Sequence, residues 1–317
     1  MKSQFVQELK PGQTVKEAFL LTRKTQKEKK GGGSYTMLEF TDRTGSIDGI
    51  GWESLAADLR AVDTGDFVYV EGNVNEYNER VEIMVNAISK LPESEVEPTD
   101  FIAQTEEDID KVIVEIQTAL RAISDPHLSR LVDLFLKDKI FMTSFRLAPA
   151  ARKAHHAYLG GLAVHTRNIL RFAADVPSVY HSVNADLLLA GGFLHDIGKI
   201  HEYSYRKKLE TTTRGRMLGH IIIGYEMVEN RIVQITGFPE ELKMRVLHMI
   251  LSHHGELEWG SPTLPLFPEA LILHFLDNLD AKFEMMIEQF RRNKGRPRLW
   301  SDYHPLLERE IYLGDKT

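Results

Sequence analysis

Cysteine is missing from this chain of 317 residues. Disulfides, thiolate nucleophiles and cysteine-ligated zinc sites are therefore excluded, and a reducing compartment fits. Long apolar runs are missing too. No stretch reaches the length of a membrane-spanning helix, and the start, MKSQFVQELK, lacks the apolar core of a signal peptide. A cytoplasmic protein with no membrane contact is expected. Nor is there a surplus of positive charge: 39 Lys and Arg stand against 46 Asp and Glu, a formal net charge of −7. A global field cannot recruit nucleic acid, so any such binding must come from local basic patches. Internal repeats are likewise absent.

What is present divides the chain. Hydrophobic residues make up 43%, enough at this length for one large core and one small one. Residues 12–91 carry runs such as SYTMLEFTD, SIDGIGWES, DFVYVEGNVNEY and VEIMVNAISKL, rich in β-formers and separated by turn chemistry. A short helical piece, LAADLRAV, falls between the third and fourth strands. Five strands with that insertion predict an OB-like β-barrel. In that fold two loops flank an oligonucleotide-binding surface. Here they are RKTQKEKKGGGS, with five basic residues and one acid within 23–30, and NEYNER at 75–80. Lys27, Lys29 and Lys30 are candidate phosphate contacts. Tyr35 and Tyr77 are candidate stacking surfaces, and Trp52 and Phe40 either stack bases or fill the barrel. A second basic run, RRNKGRPR at 291–298, reads as a solvated segment.

The acidic, proline-bearing stretch LPESEVEPTDF reads as a linker. The division expected is a barrel over 1–92, a linker over 93–104 and an all-α domain over 105–317, a multidomain α+β chain. TEEDIDKVIVEIQTALRAI opens with a threonine cap, and DPHLSRLVDLFL opens with Asp then Pro. Further helices are expected over 150–175, 185–195, 220–236, 240–253 and 268–292, with no sheet beyond 105.

One of these helices ends in GGFLHDIGKI. A histidine beside an aspartate next to an apolar helix is costly unless something pairs with them. A metal ion is one such partner and a hydrogen-bonded structural pair is another, and this stretch alone leaves both open. The rest of the domain favours the metal. His165 lies in GGLAVHT, His195, Asp196 and Lys199 in HDIGK, His220 in RGRMLGH, His253 and His254 in LSHHGE, and Asp277 in LHFLDNLDAK. They recur at intervals of 24–33 residues, a helix or two each, so a bundle can direct them to one cavity. Imidazole and carboxylate without thiolate suit Mn, Fe, Zn or Co.

The order His, His-Asp, Asp resembles the HD-domain superfamily of metal-dependent phosphohydrolases, and the added histidines resemble its two-metal branch. With the OB-like module in front, HHAYLGGLAVHT, FLHDIGK, RGRMLGHI and SHHGE resemble the YhaM-type 3′-to-5′ exoribonucleases over nearly the whole chain. Val164 stands where related sequences often carry an acid. The resemblance implies one metal on His165, His195, Asp196 and Asp277. It implies a second on His220, His253 and His254, with Asp196 bridging. Asp196 and Lys199 would serve catalysis, Lys199 by reaching a phosphate oxygen or else lying exposed. Arg214 and Arg216 would clamp a phosphate or form salt bridges. His156 would line the substrate entrance, while His274 and Asp280 would support the ligands.

The function so implied is a metal-dependent 3′-to-5′ exoribonuclease, with two divalent ions and Mn first among them. It would act on single-stranded RNA, with single-stranded DNA a second substrate, release nucleoside 5′-monophosphates, and form a homo-oligomer. Two rivals are an HD phosphohydrolase of nucleotides or cyclic dinucleotides, and a nucleic-acid-binding regulator with a vestigial site. A small ligand needs no strand-binding module, and a decayed site should have lost at least one ligand.

Overall fold

The computed structural model describes residues 2–28, 32–77, 80–152, 156–205, 209–293 and 298–314. The chain falls into two compact units, Met1–Gln104 with Tyr205–Lys208, and Thr105–Ser204 with Leu209–Thr317.

In the first unit, β1 (Thr14–Glu28), β2 (Ser34–Asp42), β3 (Gly45–Trp52), β4 (Phe67–Tyr77) and β5 (Arg80–Lys90) close a barrel in the order β1-β2-β3-β5-β4. The β3–β5 pairing is parallel and the others are antiparallel. Strand alternation sends Leu38, Phe40, Val68, Val70, Ile83 and Val85 inward. Phe40 is therefore core, and the possibility that it stacks bases is corrected. Gly49 makes room for it: a Cβ there would sit 2.5 Å from the Phe40 ring. The short helix α1 (Ala56–Arg60) buries Leu59 in the same core.

The basic stretch expected as a loop is mostly strand. Residues 23–28 extend β1 and pair with β2 as far as Glu28 opposite Ser34, because alternating side chains there still have a partner strand. Arg23 is engaged by Asp48 at 2.7 Å and Glu39 at 3.3 Å, and Lys24 donates to the Val62 carbonyl at 2.6 Å. Lys27 is exposed on β1, whereas Lys29 and Lys30 lie outside the described residues.

The second unit is a helical bundle. Asp108, not Thr105, caps α2 (Ile109–Leu120), accepting from the Asp110 and Lys111 N–H groups; a carboxylate also complements the helix dipole. Asp125 caps α3 (Pro126–Leu136) with proline at its start, and Asp138 caps α4 (Lys139–Leu147). The helix expected from 150 begins later, as α5 (Gly161–Val179). His156 (φ 51°) and Gly160 (φ 83°) hold left-handed conformations that turn the chain beforehand. Next comes α6 (Ala185–Leu194), buried on every side from Leu187 onward and packed against Phe135, Phe141 and Phe145.

After α7 (Lys199–Glu202), a two-stranded hairpin joins β6 (Tyr203–Ser204) to β7 (Glu210–Thr211), correcting the expectation of no sheet in this region. Then α8 (Thr213–Ile232) starts seven residues before 220, where a start was expected, and breaks at Gly219 (φ 69°, ψ 160°). The bundle ends with α9 (Glu240–Ser252) and α10 (Pro268–Asn293). Among the described residues no helix is long and apolar enough to cross a membrane.

Candidate metal centre

Helix ends and breaks deliver the site. His165 lies on the first turns of α5. His195 terminates α6, with Asp196 next in the chain. The break at Gly219 re-aims the backbone at His220, His253 caps α9 and precedes His254, and Asp277 projects from the middle of α10. Gly198 permits the approach, since its Cβ would fall 2.0 Å from the His220 carbonyl oxygen and 2.6 Å from the Gly224 nitrogen.

These side chains form two groups whose ligand atoms lie within 4.8 Å of one another: His165, His195, Asp196 and Asp277, and His220, His253 and His254. Asp196 sits between them. Its Oδ2 is 3.4 Å from His195 Nε2 and 3.6 Å from His165 Nε2. Its Oδ1 is 3.5 Å from both His220 Nε2 and His253 Nε2.

Every ring is locked in the same sense. His195, His253 and His254 donate from Nδ1 to the carbonyls of Gly192 (2.9 Å), Ile250 (2.8 Å) and Trp259 (2.8 Å). His165 donates from Nδ1 to Asp280 at 2.7 Å, and His220 to Glu202 at 3.0 Å. All five turn Nε2 inward, the orientation metal-binding histidines take when their other nitrogen is held. Asp196 Oδ1, His220 Nε2 and His253 Nε2 are buried without a hydrogen-bond partner. Each such atom costs about 1–3 kcal/mol unless something coordinates it, and a divalent cation is what this donor set fits.

The electrostatics of the second histidine group agree. Burial holds the His220 and His253 imidazoles below their usual range, and burial with the neighbouring His253 pushes His254 down to about 4. Those three are neutral at pH 7, with lone pairs free. Burial resists charging His165, but Asp277 (3.3 Å) and Asp280 outweigh it and raise its pKa to about 10. Burial would raise the Asp196 carboxyl, yet Lys199 and His195 hold it well below the usual carboxylate range.

The remaining candidates are placed as follows. Lys199 is buried, with Nζ 2.5 Å from Asp196 Oδ2, so the exposed alternative is corrected. Arg214 is exposed and paired with Glu226, the salt-bridge alternative. Arg216 is exposed with no side-chain partner among the described residues. His156 is not at an entrance. It is buried behind His165, contacting Asp280 at 2.9 Å and the Tyr158 hydroxyl at 2.7 Å. His274 donates from Nδ1 to the His253 carbonyl at 3.0 Å. Tyr35 pairs with Trp52 across β2 and β3, rings 6.0 Å apart, beside a cleft of about 440 Å³ that Lys24 and Arg60 also line.

Sequence reasoning missed Glu202, Asn168 and Gly198. Glu202 holds His220, and Asn168 donates to Asp280 Oδ1 at 2.8 Å. Only the glycine had a signal, two residues past Asp196 where a β-carbon would separate the ligand-bearing segments.

Fold and site together define an HD-domain protein with an OB-fold module in front. A model described as the HD domain matches residues 162–282, and one described as an OB-fold nucleic acid binding domain matches residues 20–91. The chain is 33% identical to the 3′-5′ exoribonuclease YhaM of Oceanobacillus iheyensis over 85% of each chain. It is 32% identical to that of Bacillus subtilis over 89% of this chain and 90% of the other. The chain belongs to the YhaM family.

Proposed function

We propose that this chain is a 3′-to-5′ exoribonuclease that hydrolyses single-stranded RNA to nucleoside 5′-monophosphates at a centre for two divalent cations, Mn first among them. The observation that carries this reading is Asp196, which turns one carboxylate oxygen to each histidine group. One cation would be held by His165, His195, Asp196 and Asp277, the other by His220, His253 and His254 with Asp196 shared. The cations, when bound, supply Lewis acidity that activates water and offsets charge on the phosphate.

The protein's own contribution is orientation. Asp280 and Glu202 fix the rings of His165 and His220, and Lys199 fixes Asp196 while adding positive charge beside it. On the barrel, Lys27, Tyr35 and Trp52 stand at register with one another on β1, β2 and β3, a cation beside two rings suited to a single strand. Stacking and phosphate contacts serve RNA and DNA alike, so the reading extends to single-stranded DNA. Cytoplasmic location follows from the substrate.

Self-association belongs to the same reading. Leu271, Phe275, Leu279 and Phe283 recur every four residues along α10 and are exposed, the two phenylalanines to 60%. Such a strip suits burial against a second copy.

The test is pure protein with 5′-labelled RNA, DNA and a nucleotide panel, with and without Mn. A ladder shortening from the 3′ end, lost on chelation, is expected. Hydrolysis of free or cyclic nucleotides with the RNA untouched overturns the reading.

A further inference from the structure

Among the described residues, the side chains of the centre differ in their access to water. His165, His195, His253 and Asp196 are sealed, whereas the side chains of Asp277 and His220 are 14% and 12% exposed and His254 is half-buried. A phosphate that reaches the centre past those three side chains brings the rest of the substrate against their neighbours.

Trp259 adjoins His254 and Lys282 adjoins Trp259, and no ligand role requires either side chain. Beyond His254 the chain turns through Gly255 (φ 77°) and Gly260 (φ 85°) and places the single 3-10 turn Leu257–Trp259 between them. The Trp259 carbonyl accepts the His254 ring N–H, so the indole is tied by its own backbone to a member of the second histidine group. That indole is 49% exposed, 6.0 Å from the His274 ring, with Lys282 Nζ 5.5 Å from its centroid. Lys282 is exposed on α10, five residues beyond Asp277. A large aromatic left half in water, anchored to one ligand and accompanied by an ammonium from the helix of another, has the makings of a stacking platform.

We propose that Trp259 and Lys282 form a nucleobase subsite. The indole stacks the base of the 3′-terminal nucleotide, and the lysine pairs with the phosphate on its 5′ side beyond the scissile one. This rests on the nuclease reading above and adds how the terminal residue is gripped. Because every base has a π-face, the grip is indifferent to sequence.

The test compares RNA with an ordinary 3′-terminal nucleotide against RNA whose terminal residue is abasic, using wild type, Trp259→Ala, Trp259→Phe and Lys282→Ala. Stacking of one base corresponds to roughly ten- to a hundredfold in kcat/KM. Wild type should prefer the ordinary end by that factor. Trp259→Ala should lose the preference, its rate falling far more on the ordinary end than on the abasic one, and Trp259→Phe should keep most of it. Lys282→Ala should weaken both substrates alike. If Trp259→Ala slows both RNAs equally, the indole merely holds His254 in place and the proposal is wrong; unchanged rates overturn it too. If wild type cuts neither RNA, the nuclease reading fails on its own. The subsite is then decided by titrating adenosine 5′-monophosphate against ribose 5-phosphate. Tighter binding of the nucleotide that vanishes in Trp259→Ala sustains it, and equal binding of the two ends it.

Discussion

Replacing Asp196 with asparagine keeps the side chain's size while removing the charge that faces both histidine groups. The amide offers one acceptor oxygen in place of two, so one group loses its shared ligand whichever way the side chain turns. Hydrolysis by Asp196→Asn should fall by roughly a hundred- to a thousandfold or more, and bound metal per chain, measured by elemental analysis, should fall with it. Wild-type turnover at full metal content would contradict the bridging role. The ligands themselves were legible because histidines and aspartates on apolar helices are conspicuous in a sequence. Their supports were not. Glu202 lies 18 residues from His220, and nothing local distinguishes it from a surface glutamate.

Between residue and fold, two elements meet where a side chain is forbidden. The segment at Gly198 and helix α8 approach so closely that a methyl group would strike backbone atoms of His220 and Gly224, which cannot rotate away. Gly198→Ala should therefore destabilise the helical unit by about 1–3 kcal/mol or more and lower metal content, read by thermal melting and elemental analysis. In the barrel, Glu17 on β1 gathers the N–H groups of Ser3, Gln4 and Ala18 and the Ser3 hydroxyl. Burial opposes its ionisation, but those donors prevail and hold its carboxyl below the usual 4.5. A carboxylate depressed on folding adds stability that is complete above the unfolded value and disappears as pH drops through the folded one. Acid melts of the wild type should lose stability below pH 4.5, and Glu17→Gln should show a shallower acid dependence. Element boundaries were legible where the signal is local, as with Asp125 followed by Pro126. The delayed start of α5 and the break in α8 depend on packing around His156 and Gly219, which no periodicity records.

At the scale of the whole molecule, the exposed apolar strip on α10 is the feature most at odds with life as a monomer. Putting a charge in its middle with Phe275→Glu should leave the core untouched, since the ring points outward, yet reduce the particle mass in light scattering by half or more. An unchanged mass would remove the strip from any assembly. The helical pattern of residues 268–292 was plain in the sequence, but its two-sided character was not: one stripe carries Asp277 and Asp280 inward while the other keeps leucine and phenylalanine in water.

The locked imidazoles have a consequence for inheritance. His195, His253 and His254 lean on main-chain carbonyls, which no codon change can delete, whereas His165 and His220 lean on the carboxylates of Asp280 and Glu202. A single nucleotide replacement can turn either acid into a neutral neighbour and leave every ligand in place. A lineage drifting away from catalysis through either codon would keep the metal-binding signature intact in its sequence.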